Sequence, residues 1–333
     1  MKLSVFLLTV PLMAAVDGTV FNKTSGKPQA GATVSIYKLT EAGPESLETV
    51  KSDAAGKYQL QANPASGPHY VQVAFEGVLY TKMMPPGSPT TNVQVDVFSS
   101  SPKPGDAKIT QHMMLFEPME SKLVVTENFI YQNNGNTAYN EPEGGTLRFY
   151  MPPETQGKVR ISATAPQSVA VERSAIKTGT ANVYGVDFAI KPGETRFQLS
   201  YEMPLADPPV FEGKLLYKGA TTRLVTPRGV TLKAENISEL GREPATQAAI
   251  YDVKGPDLKL EISGSGSLRE PESTGGEEEG PSIQEVMPRV YDQVSIVLAL
   301  AIGILILGFA LIYRQPGRPA TVSASAEKGK RRG

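Results

Sequence analysis

The chain offers little material for the usual kinds of catalysis. It contains two histidines, His69 and His112, and no cysteine. The motifs of serine hydrolases, zinc proteases, P-loop enzymes and dinucleotide-binding enzymes are missing from the sequence. His69 follows Gly67 and Pro68 at the start of a predicted strand, which favours a structural role. We therefore predict a protein that is not an enzyme and that uses no cofactor.

One segment, QHMMLFEPME, has residue types that suit a metal ion. His112 lies next to Met113 and Met114, and imidazole and thioether ligands suit Cu(I). In a strand, however, successive side chains point to opposite faces, so His112 and Met114 would share a face and Met113 would point away. Methionine is also a common filler of apolar cores. The pattern argues against copper, and no metal site is predicted.

The enzyme alternative is an unrecognised active site within residues 106–263. A cleft that collected several carboxylates would be the informative sign, because paired carboxylates can serve as acid and base. The carboxylates available for such a cleft are Glu117, Glu120, Glu127 and Glu143.

Any such side chains must be positioned by β-strands. From residue 16 to about residue 99, short alternating runs are separated by turn residues: Val71 and Val73 alternate with Tyr70 and Gln72, for example. The composition, with 31 glycines, 27 prolines and no tryptophan, suits short strands joined by tight turns. The predicted fold class is all-β, with two or three antiparallel β-sandwich domains followed by one C-terminal transmembrane helix.

The stretch VDGTVFNKTSGKPQAGATVSIYK, followed by SDAAGKYQL, resembles the carboxypeptidase regulatory-like domain, a small prealbumin-like β-sandwich. Gly26 and Pro28 mark one turn, and Asp53 to Gly56 form another that begins with an Asx-type residue. The other positions that carry the resemblance are Gly18, Val20, Gly31, Ala32, Val34 and Tyr58. The resemblance covers residues 16–99. In that family the domain is an accessory module, so the resemblance implies a fold more than a function.

Three tyrosines of this domain are candidate contacts for a glycan or a protein partner. They are Tyr37, Tyr70 and Tyr80. Sandwiches of this shape are similar to starch-binding folds, which present aromatic side chains to sugars. The alternative is that the tyrosines pack at strand edges, and a chain without tryptophan has less aromatic surface to offer. Several tyrosines on one exposed face would favour the glycan.

A second β region follows a short linker. SSSPKPGD contains the predicted linker, residues 100–106, and residues 107–263 are predicted as a second β-sandwich region. Phe197, Leu199 and Tyr201 alternate with polar residues and give the clearest half-buried strand. The proline-rich sequence LADPPVFEG near residue 205 leaves two alternatives open: the strands after it complete the second sandwich or form a small third one.

The two ends of the chain predict export and a membrane anchor. Residues 1–15 have the pattern of a secretory signal peptide. Val294–Tyr313 is an uncharged apolar stretch, long enough to cross a hydrocarbon core of about 30 Å and so to contact the lipid bilayer. Residues 264–290 are predicted as a flexible acidic stalk and residues 314–333 as a basic tail. Because the lysines and arginines lie mainly after the span, the tail is predicted in the cytoplasm and the β domains outside it, periplasmic or extracellular.

The formal net charge of −1 gives no basic field that would gather nucleic acid, so no nucleic-acid partner is predicted. The leading hypothesis is a non-enzymatic, membrane-anchored binding or assembly protein of the cell envelope. Edge strands of its sandwiches would accept a strand from a partner protein. The alternative hypothesis is a carbohydrate-binding module.

Overall fold

The computed structural model describes residues 16–62, 67–206 and 208–268. This part of the chain is all-β with mainly antiparallel sheets, and its one helix is a 3-10 turn at Pro153–Thr155. The predicted fold class is confirmed at that level. Within these ranges no helix is long and apolar enough to cross a membrane. The predicted signal peptide, residues 1–15, the membrane span, residues 294–313, and the basic tail, residues 314–333, lie outside the described residues.

The first eight strands form a β-sandwich. They are β1 (Val16–Asn22), β2 (Lys27–Pro28), β3 (Thr33–Thr40), β4 (Gly43–Lys51), β5 (Lys57–Leu60), β6 (His69–Phe75), β7 (Val78–Met84) and β8 (Val93–Val97). In one sheet β1 pairs antiparallel with β2 and β5 and parallel with β8. The other sheet has the order β4-β3-β6-β7. The alternation predicted from the sequence fills the core between them, since Val34, Val71 and Val73 are fully buried.

The remaining strands of the described residues belong to the second sandwich or to its junction with the first. They are β9 (Ser100–Ser101), β10 (Ala107–Met119), β11 (Lys122–Asn133), β12 (Ala138–Tyr139), β13 (Leu147–Tyr150), β14 (Arg160–Thr164), β15 (Val171–Arg173), β16 (Ala175–Lys177), β17 (Val183–Val186), β18 (Gly193–Pro204), β19 (Val210–Lys214), β20 (Thr221–Thr226), β21 (Thr231–Lys233), β22 (Ile237–Arg242), β23 (Ala249–Val253) and β24 (Asp257–Ser263). An eight-stranded sheet, β15-β14-β18-β11-β10-β20-β23-β22, carries the core on one face.

Two smaller sheets, β13-β17-β16 and β19-β24-β21, contribute to the same core. Strands from both sides of residue 205 share it: the Phe116 and Phe211 rings pack edge to face with centroids 5.0 Å apart. β20 also pairs with β10 in parallel and extends the large sheet. Strands on both sides of residue 205 therefore contribute to one core.

The segment between the sandwiches is itself structured. Within residues 100–106, predicted as the linker, β9 pairs in parallel with β12 of the second sandwich. Ala138 of β12 is fully buried in the core of the first sandwich. The Thr24 hydroxyl of the first sandwich donates a hydrogen bond to the carbonyl of Asn136 in the second. Both sandwiches lie in one compact unit of the chain.

The first residues of the predicted stalk contact the second sandwich. The Gly266 N–H donates to the carbonyl of Pro118 at 3.1 Å. The Ser267 hydroxyl and the Leu268 N–H both donate to the Glu117 carboxylate, at 2.6 and 2.7 Å. The remainder of the predicted stalk, residues 269–290, lies outside the described residues.

Candidate binding groove

The hairpin β6–β7 determines which backbone groups of β7 are free. Phe75 and Val78 are paired across a two-residue turn, in which Glu76 and Gly77 have φ angles of 47° and 76°. Positive φ at both central residues is the geometry of a type I′ hairpin turn, whose flanking pair is hydrogen-bonded. In an antiparallel ladder hydrogen-bonded pairs alternate along the strand. The N–H and C=O groups of Leu79, Thr81 and Met83 therefore point away from β6.

Among the described residues, no other strand pairs with this side of β7. The strand is the last in its sheet, and no backbone hydrogen bond from another segment reaches it. Leu79 and Met83 are 49% and 43% exposed. An exposed edge with apolar side chains is a template for pairing with another strand.

Two other edge strands of the described residues, β4 and β22, have features that discourage such pairing. β4 begins with Gly43 and Pro44. Its pairing with β3 is interrupted by a bulge, where the register shifts between Ile36 and Tyr37 of β3. β22 has a bulge between Glu239 and Gly241. Bulges, prolines and charges are the usual means by which proteins protect sheet edges. β7 has neither a proline nor a bulge, and its seven pairs with β6 are in continuous register. It carries one charged side chain, Lys82.

A groove of about 490 Å³ lies beside this edge. Its walls are β7 and β8 of the first sandwich and two loops of the second, at residues 166–167 and 191–192. Because β9 and β12 join the sandwiches close by, the loops are held against the first sandwich and not left free. The groove is within the size range of ligand-binding clefts in proteins.

Lys191 is the most unusual charged group of the groove. Its Nζ lies 5.0 Å from the centroid of the Tyr80 ring, whose face attracts a cation. Burial lowers the pKa of the Lys191 amino group from 10.5 to about 8. Among the described residues no carboxylate lies within ion-pair distance of Lys191. The carboxylate that does line the groove, Asp96, is 3.3 Å from Lys23 Nζ.

The three predicted tyrosines do not lie together. Tyr37 and Tyr70 are paired in register on β3 and β6, and their rings stack with centroids 5.0 Å apart. Met83 is opposite Tyr70 on β7, which extends this row across three strands. Tyr80 points the other way: it is 4% exposed, and its hydroxyl donates to the carbonyl of Phe98 at 2.8 Å. Tyr80 forms part of the core and of the groove wall, whereas Tyr37 and Tyr70 lie on the outer face.

The residues of the metal-like segment are separated as strand parity predicts. His112 and Met114 are buried on the core face, and Met113 is 39% exposed. The His112 ring stacks on Phe129 with centroids 4.0 Å apart, and its Nε2 is 2.8 Å from the Glu127 carboxylate. Within the described ranges no group of three or more histidine, cysteine, aspartate and glutamate residues could hold a metal ion.

The four candidate carboxylates do not form a cleft. Glu127 lies on the core face of β11, where it accepts hydrogen bonds from His112 and from the Tyr201 hydroxyl. Glu117 is paired with Val124 and so faces the opposite side of the sheet. Glu120 and Glu143 are exposed at other positions of the chain.

The sequence offered no signal for Lys191, which stands in the turn sequence KPGE. The setting of Lys191 depends on which strand its turn packs against, and the Tyr80 ring that it contacts is more than 100 residues earlier in the chain. The hairpin β6–β7 was recoverable in principle, because Glu76-Gly77 lies between two alternating runs. The position of β7 at the end of its sheet was not, because it depends on the order of distant strands.

Fold and groove together define an all-β protein of two joined β-sandwiches with an open strand edge. No family model matches the chain, and no curated protein matches it. The resemblance of residues 16–99 to the carboxypeptidase regulatory-like domain stays a prediction that rests on the residues quoted above.

Proposed function

We propose that this chain is a non-enzymatic binding or assembly protein of the cell envelope, which takes an extended segment of a partner protein as an additional strand along β7. The observation that carries the proposal is the unpaired edge of β7, without proline or bulge, beside the groove. Strand addition obtains its affinity from backbone hydrogen bonds and its specificity from side-chain pockets next to the edge. The backbone groups of Leu79, Thr81 and Met83 would supply the hydrogen bonds, and the groove would supply the side-chain pocket.

The direct test removes one outward backbone donor from β7. Thr81→Pro eliminates an N–H that points away from β6, so the ladder within the sheet is retained. Thr81→Val is the matched control, because it changes the same side chain and keeps the N–H. Peptides are first selected from a random displayed library against the full chain in lipid nanodiscs, and their affinities are then measured for the three proteins.

We expect Thr81→Pro to weaken peptide binding by about tenfold or more, since it removes a hydrogen bond and prevents close approach of the strand. Thr81→Val should bind like the wild type. Hydrogen exchange supplies the structural readout: a bound peptide should protect the amides of Leu79, Thr81 and Met83. Peptide binding that is unchanged in Thr81→Pro, or a library that yields no binder, would contradict the proposal.

The proposed anchoring and export can be tested by cysteine labelling, because the natural chain has no cysteine. Ser46→Cys places a thiol on the first sandwich, and Ser323→Cys places one in the predicted tail. A membrane-impermeant maleimide added to intact cells should label the first variant, and the second only after the membrane is permeabilised. For a bacterium with an outer membrane, that membrane is opened first. Equal labelling of both variants before permeabilisation would exclude the proposed orientation.

A second candidate function is glycan binding on the outer face of the first sandwich. The observation that favours it is the stacked pair Tyr37 and Tyr70, flanked on the same face by the polar side chains of Gln72 and Thr81. Sugars bind to proteins through aromatic faces with hydrogen-bonding groups beside them, and the similarity to starch-binding folds points to the same chemistry.

The glycan candidate is tested by affinity electrophoresis of the full chain in gels that contain polysaccharides. Tyr37→Ala and Tyr70→Ala should each abolish a retardation seen with the wild type, while Lys191→Met, a change in the groove, should leave it unchanged. Conversely, the two tyrosine variants should not affect the peptides that bind along the edge of β7. Retardation by none of the polysaccharides would contradict glycan binding.

A further inference from the structure

We propose that Lys191 is the anion-binding residue of the groove and that it selects a partner segment with a carboxylate, from an aspartate or glutamate side chain, opposite β7. The inference rests on the proposed function, because it concerns the segment that β7 accepts. It adds what strand pairing alone does not supply, a preference for one kind of side chain.

The surroundings of Lys191 leave its charge without a counterion in the described part of the chain. Its nearest ring, Tyr80, offers a π face but no charge, and the Tyr80 hydroxyl is already hydrogen-bonded to Phe98. Asp96 is bound by Lys23 Nζ. A half-buried cation that has lost part of its hydration gains more from a carboxylate than an exposed one does.

A second cation strengthens the same preference. Lys82 is paired with Val71, which lies in the core, so its side chain leaves β7 on the side of the groove. The loop residues Pro166 and Gln167 that close the groove carry no charge. The groove therefore has two lysines and a single carboxylate that already has a partner. Its charge complements an acidic segment and disfavours a basic one.

The titratable and charged groups near Lys191 come from several elements. They are Tyr80 and Lys82 on β7, Asp96 on β8, and Arg173 and Asp187 around an adjoining cavity of about 210 Å³ that Lys191 also lines. Because the pKa of Lys191 is lowered to about 8, its charge is lost as the pH rises through that value. Carboxylate binding should weaken above that pH for this reason.

The experiment uses the peptides selected on the full chain, each synthesised with Glu, Gln or Lys at the position that the selection favours most. Affinities are measured by fluorescence anisotropy for the wild type, Lys191→Met, Lys191→Arg and Lys82→Met. For the wild type we expect the Glu peptide to bind about tenfold more tightly than the Gln peptide and the Lys peptide to bind most weakly. Lys191→Met should remove the difference between the Glu and Gln peptides, and Lys191→Arg should keep it.

The pH dependence tests the role of Lys191. Between pH 7 and pH 10 the Glu preference should decline for the wild type and persist for Lys191→Arg, since arginine stays charged. A Glu preference that survives in Lys191→Met, or disappears only in Lys82→Met, would overturn the assignment of the anion site to Lys191.

The two proposals fail in different ways. Peptides that lose affinity in Thr81→Pro but bind equally with Glu and Gln would leave strand addition intact and refute the role of Lys191. A library without any binder would refute both. Binding of an acidic polysaccharide that depends on Lys191, without peptide binding, would show that the groove takes another class of ligand and would overturn the inference.

Discussion

Glu127 brings a carboxylate into the core of the second sandwich, where it is 3% exposed. Its two oxygens accept hydrogen bonds from His112, at 2.8 Å, and from the Tyr201 hydroxyl, at 2.7 Å. Burial, and after it the neighbouring carboxylate of Glu127, raises the pKa of Tyr201 well above its usual value, so this tyrosine remains a donor. The three side chains form a closed network that depends on the central acceptor.

We predict that Glu127→Ala destabilises the protein by about 3–5 kcal/mol, because two buried donors lose their acceptor at once. Glu127→Gln retains an acceptor oxygen and a similar shape, and its cost should be about 1–2 kcal/mol. Urea denaturation followed by circular dichroism measures both. A loss below about 0.5 kcal/mol for Glu127→Ala, the range of ordinary surface substitutions, would mean that the network contributes little.

For Lys191 we predict that a substitution increases the stability of the protein, whereas the substitutions of Glu127 decrease it. Its pKa is about 8 in the folded protein against 10.5 in the unfolded chain, so between these values the unfolded state binds more protons. The free energy of unfolding attributable to this group therefore rises with pH across that window, and its full cost is present below pH 8. Replacement of the amino group by an apolar side chain removes that cost.

Lys191→Met should accordingly stabilise the protein at pH 7 by roughly 2 kcal/mol, a value reduced from the full shift because the side chain is only half-buried. The gain should diminish as the pH is raised from 8 to 10.5. Lys82→Met is the control, since this exposed lysine should change stability by no more than about 0.5 kcal/mol. Denaturation midpoints at pH 7 and pH 10 test both statements. A variant that is stabilised while it loses its ligand preference is the usual trade between stability and function.

At the scale of the element, the turn at Asp53–Gly56 shows how sequence chemistry fixes a fold locally. The Asp53 carboxylate accepts hydrogen bonds from the N–H groups of Ala55 and Lys57, both at 2.8 Å. Gly56 has a φ of +72°, and a Cβ there would lie 2.8 Å from both the Pro28 Cβ and the Val20 carbonyl oxygen. The glycine is needed for its backbone conformation and for the close approach of β2.

We predict that Gly56→Ala costs more stability than Gly26→Ala. Both glycines have positive φ, so each substitution carries about 1–2 kcal/mol of backbone strain. Only Gly56 adds a clash, because a Cβ on Gly26 would meet nothing within 4 Å. Gly56→Ala should therefore unfold at a clearly lower temperature than Gly26→Ala in a thermal melt. Equal melting temperatures would show that the contact with β2 relaxes freely.

The sequence predicts those features of the fold that depend on neighbouring residues, but not those that depend on residues far apart in the chain. The Asx turn, the strand that follows it with Tyr58 and Leu60 buried, and the separation of Met113 from Met114 all follow from local rules of spacing and parity. The parallel pairing of β1 with β8 and of β10 with β20 joins residues far apart in the chain. Local periodicity carries no information about such partners, and the position of Lys191 against Tyr80 depends on them in the same way.

At the scale of the whole molecule, the junction between the sandwiches determines whether they behave as one body. The Ala138 N–H donates to the Ser99 carbonyl, and the Asn140 N–H to the Ser101 carbonyl, both at 2.9 Å. The methyl group of Ala138 is fully buried in the first core although the residue belongs to the second sandwich. Few hydrogen bonds cross between the domains of most chains, so a shared core residue at the join favours cooperative unfolding.

We predict that the wild-type chain unfolds in a single calorimetric transition and that Ala138→Asp divides it into two. The substitution buries a charge without a partner in the first core, which costs several kcal/mol unless β12 separates from it. Ala181→Asp, on an exposed loop of the second sandwich, is the control and should keep one transition. Because the loops at residues 166–167 and 191–192 form part of the groove only while the sandwiches stay joined, Ala138→Asp should also weaken the peptides that bind along β7. Two transitions in the wild type would show instead that each sandwich folds alone, and the groove would then depend on their association.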